Sequence, residues 1–289
     1  MAKARAIVKR RKAVTNIRKI TSTMQLIATA RFAKCMQRAT AGKPYTEKLS
    51  EMIETLARVG TVDHPLLKPN PGVAQSVLLV ITANRGLCGS YNASVMRGAI
   101  ERRRSLMASG VTPALEVAGK KGLGYLRFLN LPVAVSITDI EDKIAYARVA
   151  EMAERYMAEY AAGRIARVDV AYTRFVSAGV QRATIAQLLP IEPPSSEGAA
   201  RSNTDFEFSP EPQVLLGRLI PETVKVRLYQ FFNDAIVSEQ IARMVAMKAA
   251  TDAARDMIRS LTRLYNRARQ SQITLELADI VGGAEAVKA

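Results

Sequence analysis

The sequence has no tryptophan and one histidine, His64. A lone imidazole excludes a His-based metal cluster and leaves a Ser-His-Asp triad nothing else to draw on. His64 precedes Pro65 in a turn-rich stretch, where a solvated loop residue is expected. The two cysteines, Cys35 and Cys88, are far apart and form no CxxC pair, so neither a zinc site nor a disulfide framework is suggested and a reducing compartment fits. Cys88 reads as a small buried hydrophobe. No apolar run reaches the length that crosses a bilayer, the longest, near 77–81, having strand length. There is no GxxxxGK[ST] phosphate loop and no HExxH. These gaps predict a chain without cofactor, metal or catalytic residues of its own.

Acidic residues are missing from one end. The first 46 residues carry twelve Lys or Arg and no Asp or Glu before Glu47, most of the formal excess of +16. Such a segment meets an acidic protein surface, a nucleic acid or an anionic membrane face. Its first thirty residues also resemble a mitochondrial transit peptide in composition. Proline and glycine are missing from 222–281, a stretch of about 60 residues that would make roughly 90 Å of helix. The chain is 48% hydrophobic and rich in Ala, Met, Arg and Glu, which suits a packed core and long helices.

The N-terminal region reads as an amphipathic helix with Ile7, Val14, Ile17, Thr21, Met24 and Ala28 on one stripe, bent or interrupted at Gly42, Lys43 and Pro44. A second helical stretch, 45–59, leads into a turn-rich segment at 63–72. The middle alternates strand candidates at 76–82, 114–118, 133–138, 167–176 and 182–189 with helix-like stretches at 92–108, 121–130 and 144–161. That alternation predicts a mostly parallel, Rossmann-like α/β domain. A Pro- and Ser-rich linker follows, and Pro221 sits where a long C-terminal helix is expected to start. Its seam reads Leu228, Phe231, Ala235, Ser238, Ala242, Val245 and Ala249, then Leu261, Leu264, Ala268, Ser271, Leu275 and Ala278. A helix longer than the roughly 40 Å expected of the middle domain needs a mate for this stripe. The predicted fold class is therefore α/β plus long helices, an antiparallel coiled coil of the two terminal helices with an α/β domain between them. The expected divisions are an N-terminal helix over 1–60, a linker over 61–75, the α/β domain over 76–190, a loop over 191–220 and the C-terminal helix over 221–289.

Three segments carry a family resemblance. They are IRKITSTMQLIA at 17–28, NRGLCGSYN at 84–92, and EQIARMVAMKAATDA at 239–253 continuing through LYNRARQSQIT at 264–274 to Glu276 and Leu277. Together, and in this order, they resemble the γ subunits of F-type ATP synthases. The resemblance covers roughly a third of the chain in detail. It implies a non-catalytic central-stalk rotor whose coiled coil stands inside an α3β3 hexamer, while the α/β domain meets the ε subunit and the membrane c-ring. Ion flow turns the shaft, and its angle biases the conformations of the catalytic β subunits. Because the first motif begins near Met1, the basic start reads as shaft and not as a cleaved leader. With the extra cysteine pair of chloroplast relatives also missing, the expected location is peripheral, on the cytoplasmic face of a bacterial plasma membrane.

The resemblance also nominates contact residues for β-subunit loops. Arg269, Gln270 and Thr274 match positions that hydrogen-bond an Asp-rich loop, and positions 270 and 274 share a helical face. Arg243 and Lys248 match a second polar stretch, where a solvated face is the competing reading. Met24 matches a position near the acidic lever loop and equally fits a place in the coiled-coil seam. Arg85 is a candidate for a β carboxylate, while Gly86 and Gly89 are expected to permit a tight turn after the first strand. Asn84 stands where the family commonly has aspartate, so a role tied to that charge does not carry over. Two rivals are a nucleic-acid-binding protein, which the charge suggests but no aromatic interleaving or reading module supports, and a small enzyme using the loop after the first strand.

Overall fold

The computed structural model describes residues 2–59, 64–140, 143–191 and 212–286. Most of the expected loop at 191–220 lies outside the described residues. The chain divides into two compact units, Met1–Thr29 with Arg243–Ala289, and Ala30–Ala242. The divisions fall inside the terminal helices.

The larger unit is built on a five-stranded sheet. In chain order the elements are α1 (Ala2–Val59), β1 (Gln75–Ile81), α2 (Tyr91–Ala108), β2 (Thr112–Ala118), α3 (Lys120–Phe128), β3 (Val135–Ile137), α4 (Tyr146–Ala161), β4 (Val168–Ser177), β5 (Val180–Leu189) and α5 (Pro212–Ala286). The sheet order is β3-β2-β1-β4-β5, parallel except for β5, which returns antiparallel to β4. All five strand candidates and all three intervening helices are present. Strand β1 is central and buried from Ser76 to Ile81, as expected where helices cover both faces. Its side chains alternate. Val77, Leu79 and Ile81 face a core shared with α4, with Cys35 and Ala39 of α1, and with Ile220, Val224, Leu228 and Phe232 of α5. Leu78 and Val80 face α2 and α3 through Val95, Met96, Ala99 and Leu126.

Two strands also carry a buried carboxylate, one toward each face of the sheet. Glu116 of β2 accepts from Arg155 at 2.8 and 2.6 Å and from the Tyr156 hydroxyl at 2.6 Å, which ties the strand to α4. Asp169 of β4 accepts from Arg102 of α2 at 2.8 Å and from Arg167 at 3.0 Å. A buried charge is tolerated only when paired in this way.

Two helix boundaries differ from the sequence reading. Helix α1 runs through Pro44 without a break, because buried residues on both sides, Cys35, Ala39 and Leu49, hold the same helix against its neighbours. Helix α5 begins at Pro212, so residues 212–220 are helix and Pro221 lies inside it. Ile220, Val224 and Leu228 recur every four residues and are all buried. Burying three such side chains contributes about 1.5–3 kcal/mol each, which exceeds the roughly 3 kcal/mol cost of an interior proline.

The smaller unit is an antiparallel pair of helix ends. Ile7, Val14, Thr21 and Ala28 recur every seven residues on α1 and are buried. On α5 the buried or half-buried stripe is Met247, Thr251, Ala254, Ile258, Leu261, Tyr265 and Ala268, alternating four and three. Its register differs from the predicted seam. Val245, Leu264 and Leu275 are exposed, as is Ile17 on α1, while polar Thr251 lies inside. Thr251 bonds Thr21 hydroxyl to hydroxyl at 2.8 Å and also donates to Met247 O, so the buried layer is satisfied without an apolar side chain. Higher up, the Arg11 guanidinium stands over the Tyr265 ring, 5.4 Å from its centroid.

Candidate partner-binding sites

In an open α/β sheet, ligands bind beyond the carboxyl ends of the parallel strands, where the connections diverge to opposite sides. Here that point lies after β1, between β2 and β4. The end of β1 is knitted to the start of α3. The Thr82 hydroxyl donates to Ala118 O at 2.9 Å and accepts from Gly122 N at 3.0 Å. Gly119, at φ 103°, passes so close that a Cβ there would stand 2.2 Å from Thr82 O. The approach requires glycine. The sequence reading missed this junction, although a glycine ending one strand and another opening a helix were its visible signal.

Loop 83–90 is held from within. Asn92 Oδ1 accepts from Ala83 N at 2.9 Å, and its Nδ2 donates to Cys88 Sγ at 3.2 Å. The Tyr91 hydroxyl donates to Ala235 O of α5 at 3.1 Å. Asn84 accepts from Lys120 N at 3.0 Å and donates to Ile140 O. An aspartate at this position could not make the second bond, so the amide is a structural brace. Gly89 has φ 59° as the tight turn requires, but the other left-handed position is Leu87, at φ 63°, and not Gly86. Cys88 is buried and Arg85 is exposed.

Helix α5 closes the place a substrate would take. Phe232, Ala235, Ile236 and Glu239 lie against Thr82, Asn84, Gly119 and Ile140, and the space left is about 20 Å³. That is room for about one water, far below the roughly 300 Å³ of a small-molecule pocket. An enzyme using this loop has nowhere to hold a substrate.

The remaining nominated residues lie on the terminal helices. Arg269, Gln270 and Thr274 are exposed on α5, and the Thr274 hydroxyl donates to Gln270 O at 3.0 Å, leaving its lone pairs for a partner. Met24 is half-buried, between its two readings, and Lys248 is exposed. Arg243 is buried and engaged within the chain, so it is not part of the exposed set. His64 is not simply solvated. It is half-buried, its Nδ1 accepts from Leu66 N at 3.2 Å to cap a short turn at Pro65–Leu67, and burial pushes its pKa down. Among the described residues no helix is long and apolar enough to cross a membrane.

A profile of the ATP synthase family matches residues 3–287. The chain is 46% identical to the ATP synthase gamma chain of Rhodopirellula baltica over the whole of both chains. It is 38% identical to that of Gemmatimonas aurantiaca, again over the whole of both. Among solved structures it is similar to a chain of the Euglena gracilis mitochondrial ATP synthase rotor, with a TM-score of 0.66 and 15% identity over 94% of this chain and 99% of that one.

Proposed function

The chain belongs to the ATP synthase γ-chain family, a central-stalk rotor subunit without catalysis of its own, and from that premise we propose how its surfaces engage the rest of the machine. The rotor couples ion flow across the membrane to the conformational cycling of the catalytic β subunits. Arg269, Gln270 and Thr274 form the contact of α5 with carboxylate-rich β-subunit loops, Arg85 reaches a further β carboxylate, and Met24 lies beside the lever loop. The α/β unit meets ε and the c-ring, and the whole stands peripherally on the cytoplasmic face of a bacterial plasma membrane.

One observation carries this reading. The helical unit leaves Ile17, Ile20, Leu26, Leu264, Ile273, Leu275, Leu277 and Ile280 in solvent along both helices, next to exposed arginines. Surface of that kind is completed by another protein that is apolar in part and acidic in part. A guanidinium fork and two hydrogen-bonding side chains on one face suit a carboxylate loop.

The test is co-expression with the α and β subunits of the same organism. ATP hydrolysis should depend on this chain at one copy per hexamer, and the triple variant Arg269→Ala/Gln270→Ala/Thr274→Ala should lower it about tenfold, a loss of about 1.4 kcal/mol from hydrogen bonds to charge. Unchanged hydrolysis with the variant still in the complex would remove these residues from the contact.

A further inference from the structure

The β4–β5 hairpin carries a feature that the fold does not need. β1 pairs with β4 only from Val77↔Val168 to Val80↔Ala171, whereas β4 and β5 remain paired out to Ser177↔Val180. Residues 172–177 and 180–184 therefore form a two-stranded ribbon that runs past the rest of the sheet. In its register Arg174 stands directly opposite Arg182. Both are exposed, and neither guanidinium has an ion-pair or hydrogen-bond partner among the described residues.

Like charges directly across an antiparallel pair oppose pairing. Nothing in the ribbon relieves them, since 172–185 contains no Asp or Glu. Outside the ribbon, Asp234 and Arg227 of α5, one acidic and one basic, act together with Arg174 on the Tyr172 hydroxyl. Protection of an open strand edge accounts for charges there but not for their common sign, because an Arg–Glu pair would protect equally and attract.

The ribbon is also held rigidly. Tyr172 and Phe175 are buried, Tyr172 stacks on Phe231 with ring centroids 4.6 Å apart, and Ser238 Oγ donates to Thr173 O at 3.2 Å. The backbone from which the two arginines project is thus anchored, with exposed Val176 and Val180 beside them.

We propose that Arg174 and Arg182 are a two-pronged docking point for an acidic peptide segment of a neighbouring subunit, one carboxylate to each guanidinium. The proposal rests on the chain's membership of the γ-chain family, which supplies the neighbours. A protein carboxylate fits better than an anionic membrane, because the aromatic rings of the ribbon are buried and two valines are its only exposed large apolar side chains.

The experiment uses the assembled complex, purified with its own α, β and ε subunits. A photo-crosslinking residue at Val180 should attach to a segment of another subunit with at least two acidic residues close together. Arg174→Glu/Arg182→Glu should weaken retention of that subunit severalfold at moderate salt, and the double lysine variant should restore it in part by keeping charge without the fork. In the free full-length chain, where no partner covers the ribbon, Arg182→Glu alone makes the pair attractive, so hydrogen exchange of the ribbon amides should stay the same or slow. Crosslinks to lipid or to a segment without acids, wild-type retention of the double glutamate variant, or faster ribbon exchange in the free Arg182→Glu chain would each overturn the proposal. Failure of the unsubstituted chain to co-purify with α and β would sink the family-based reading and this one together, a result visible before any variant is made.

Discussion

The two units of this chain treat apolar side chains in opposite ways. In the α/β unit the central strand and the helices over it leave Leu78, Leu79, Val80, Tyr156, Phe232 and Leu228 with essentially no exposed surface, and the buried strand carboxylates Glu116 and Asp169 are each paired with arginines from covering helices or from the residue before β4. In the helical unit the described core is Ile7, Val14, Ala254 and Leu261 with a threonine pair beside it, while a larger set of Ile, Leu and Val side chains faces outward. Burial of apolar area is the main favourable term in folding. The first unit completes its own core, whereas the second leaves much of that area exposed. A rotor needs both, a body whose shape is fixed and a shaft whose surface is read by its surroundings.

Core substitution should separate the units most sharply. Phe232→Ala in the α/β unit should cost about 3–5 kcal/mol, the range for emptying a buried aromatic site, while Leu264→Ala on the exposed face of α5 should stay within about 0.5 kcal/mol in the free chain. Urea unfolding followed by circular dichroism measures both, and equal losses would break the contrast. A smaller effect is expected within the helical seam. Thr251→Val removes the hydroxyl that meets Thr21 and should destabilise by about 1 kcal/mol, and the Thr21→Val/Thr251→Val pair should lose less than the sum of the singles, as a double-mutant cycle would report. If the two substitutions simply add, the threonine layer is not a coupled pair. The smallest effect is an acid response confined to the α/β unit. Burial lowers the folded-state pKa of His64, so its contribution is present above about pH 6.5 and is lost as pH falls through the lower folded value. His64→Asn keeps a turn-capping acceptor and should flatten stability as pH falls below about 6.5, leaving the helical unit, which has no histidine, unaffected.

Much of the fold was legible in periodicity. The run at 76–82 is apolar on both faces and became the central parallel strand, and the family segments at both ends fall on α1 and α5. Less legible was the coiled-coil seam. Val245, Leu264 and Leu275 are the more hydrophobic choice, yet the buried stripe runs through Thr251 and Ala254. Small residues allow the helices to approach and the larger ones are left for an external surface, a preference that single-chain hydrophobicity reverses. Of the nominated contact residues, Arg269, Gln270 and Thr274 are exposed together, while Arg243 turned inward because an arginine on a helix face carries no mark of which side its neighbours occupy.

By itself the sequence determined the order of elements, the α/β alternation, the helical ends and the lack of any metal or phosphate-binding signature, because these depend on local propensity and on side chains near one another in the chain. The tertiary structure alone decided which face of each terminal helix is buried, that α5 fills the space beyond β1, and that Arg174 meets Arg182. Each depends on the register between segments far apart in sequence, and register follows from packing complementarity, which no single segment encodes.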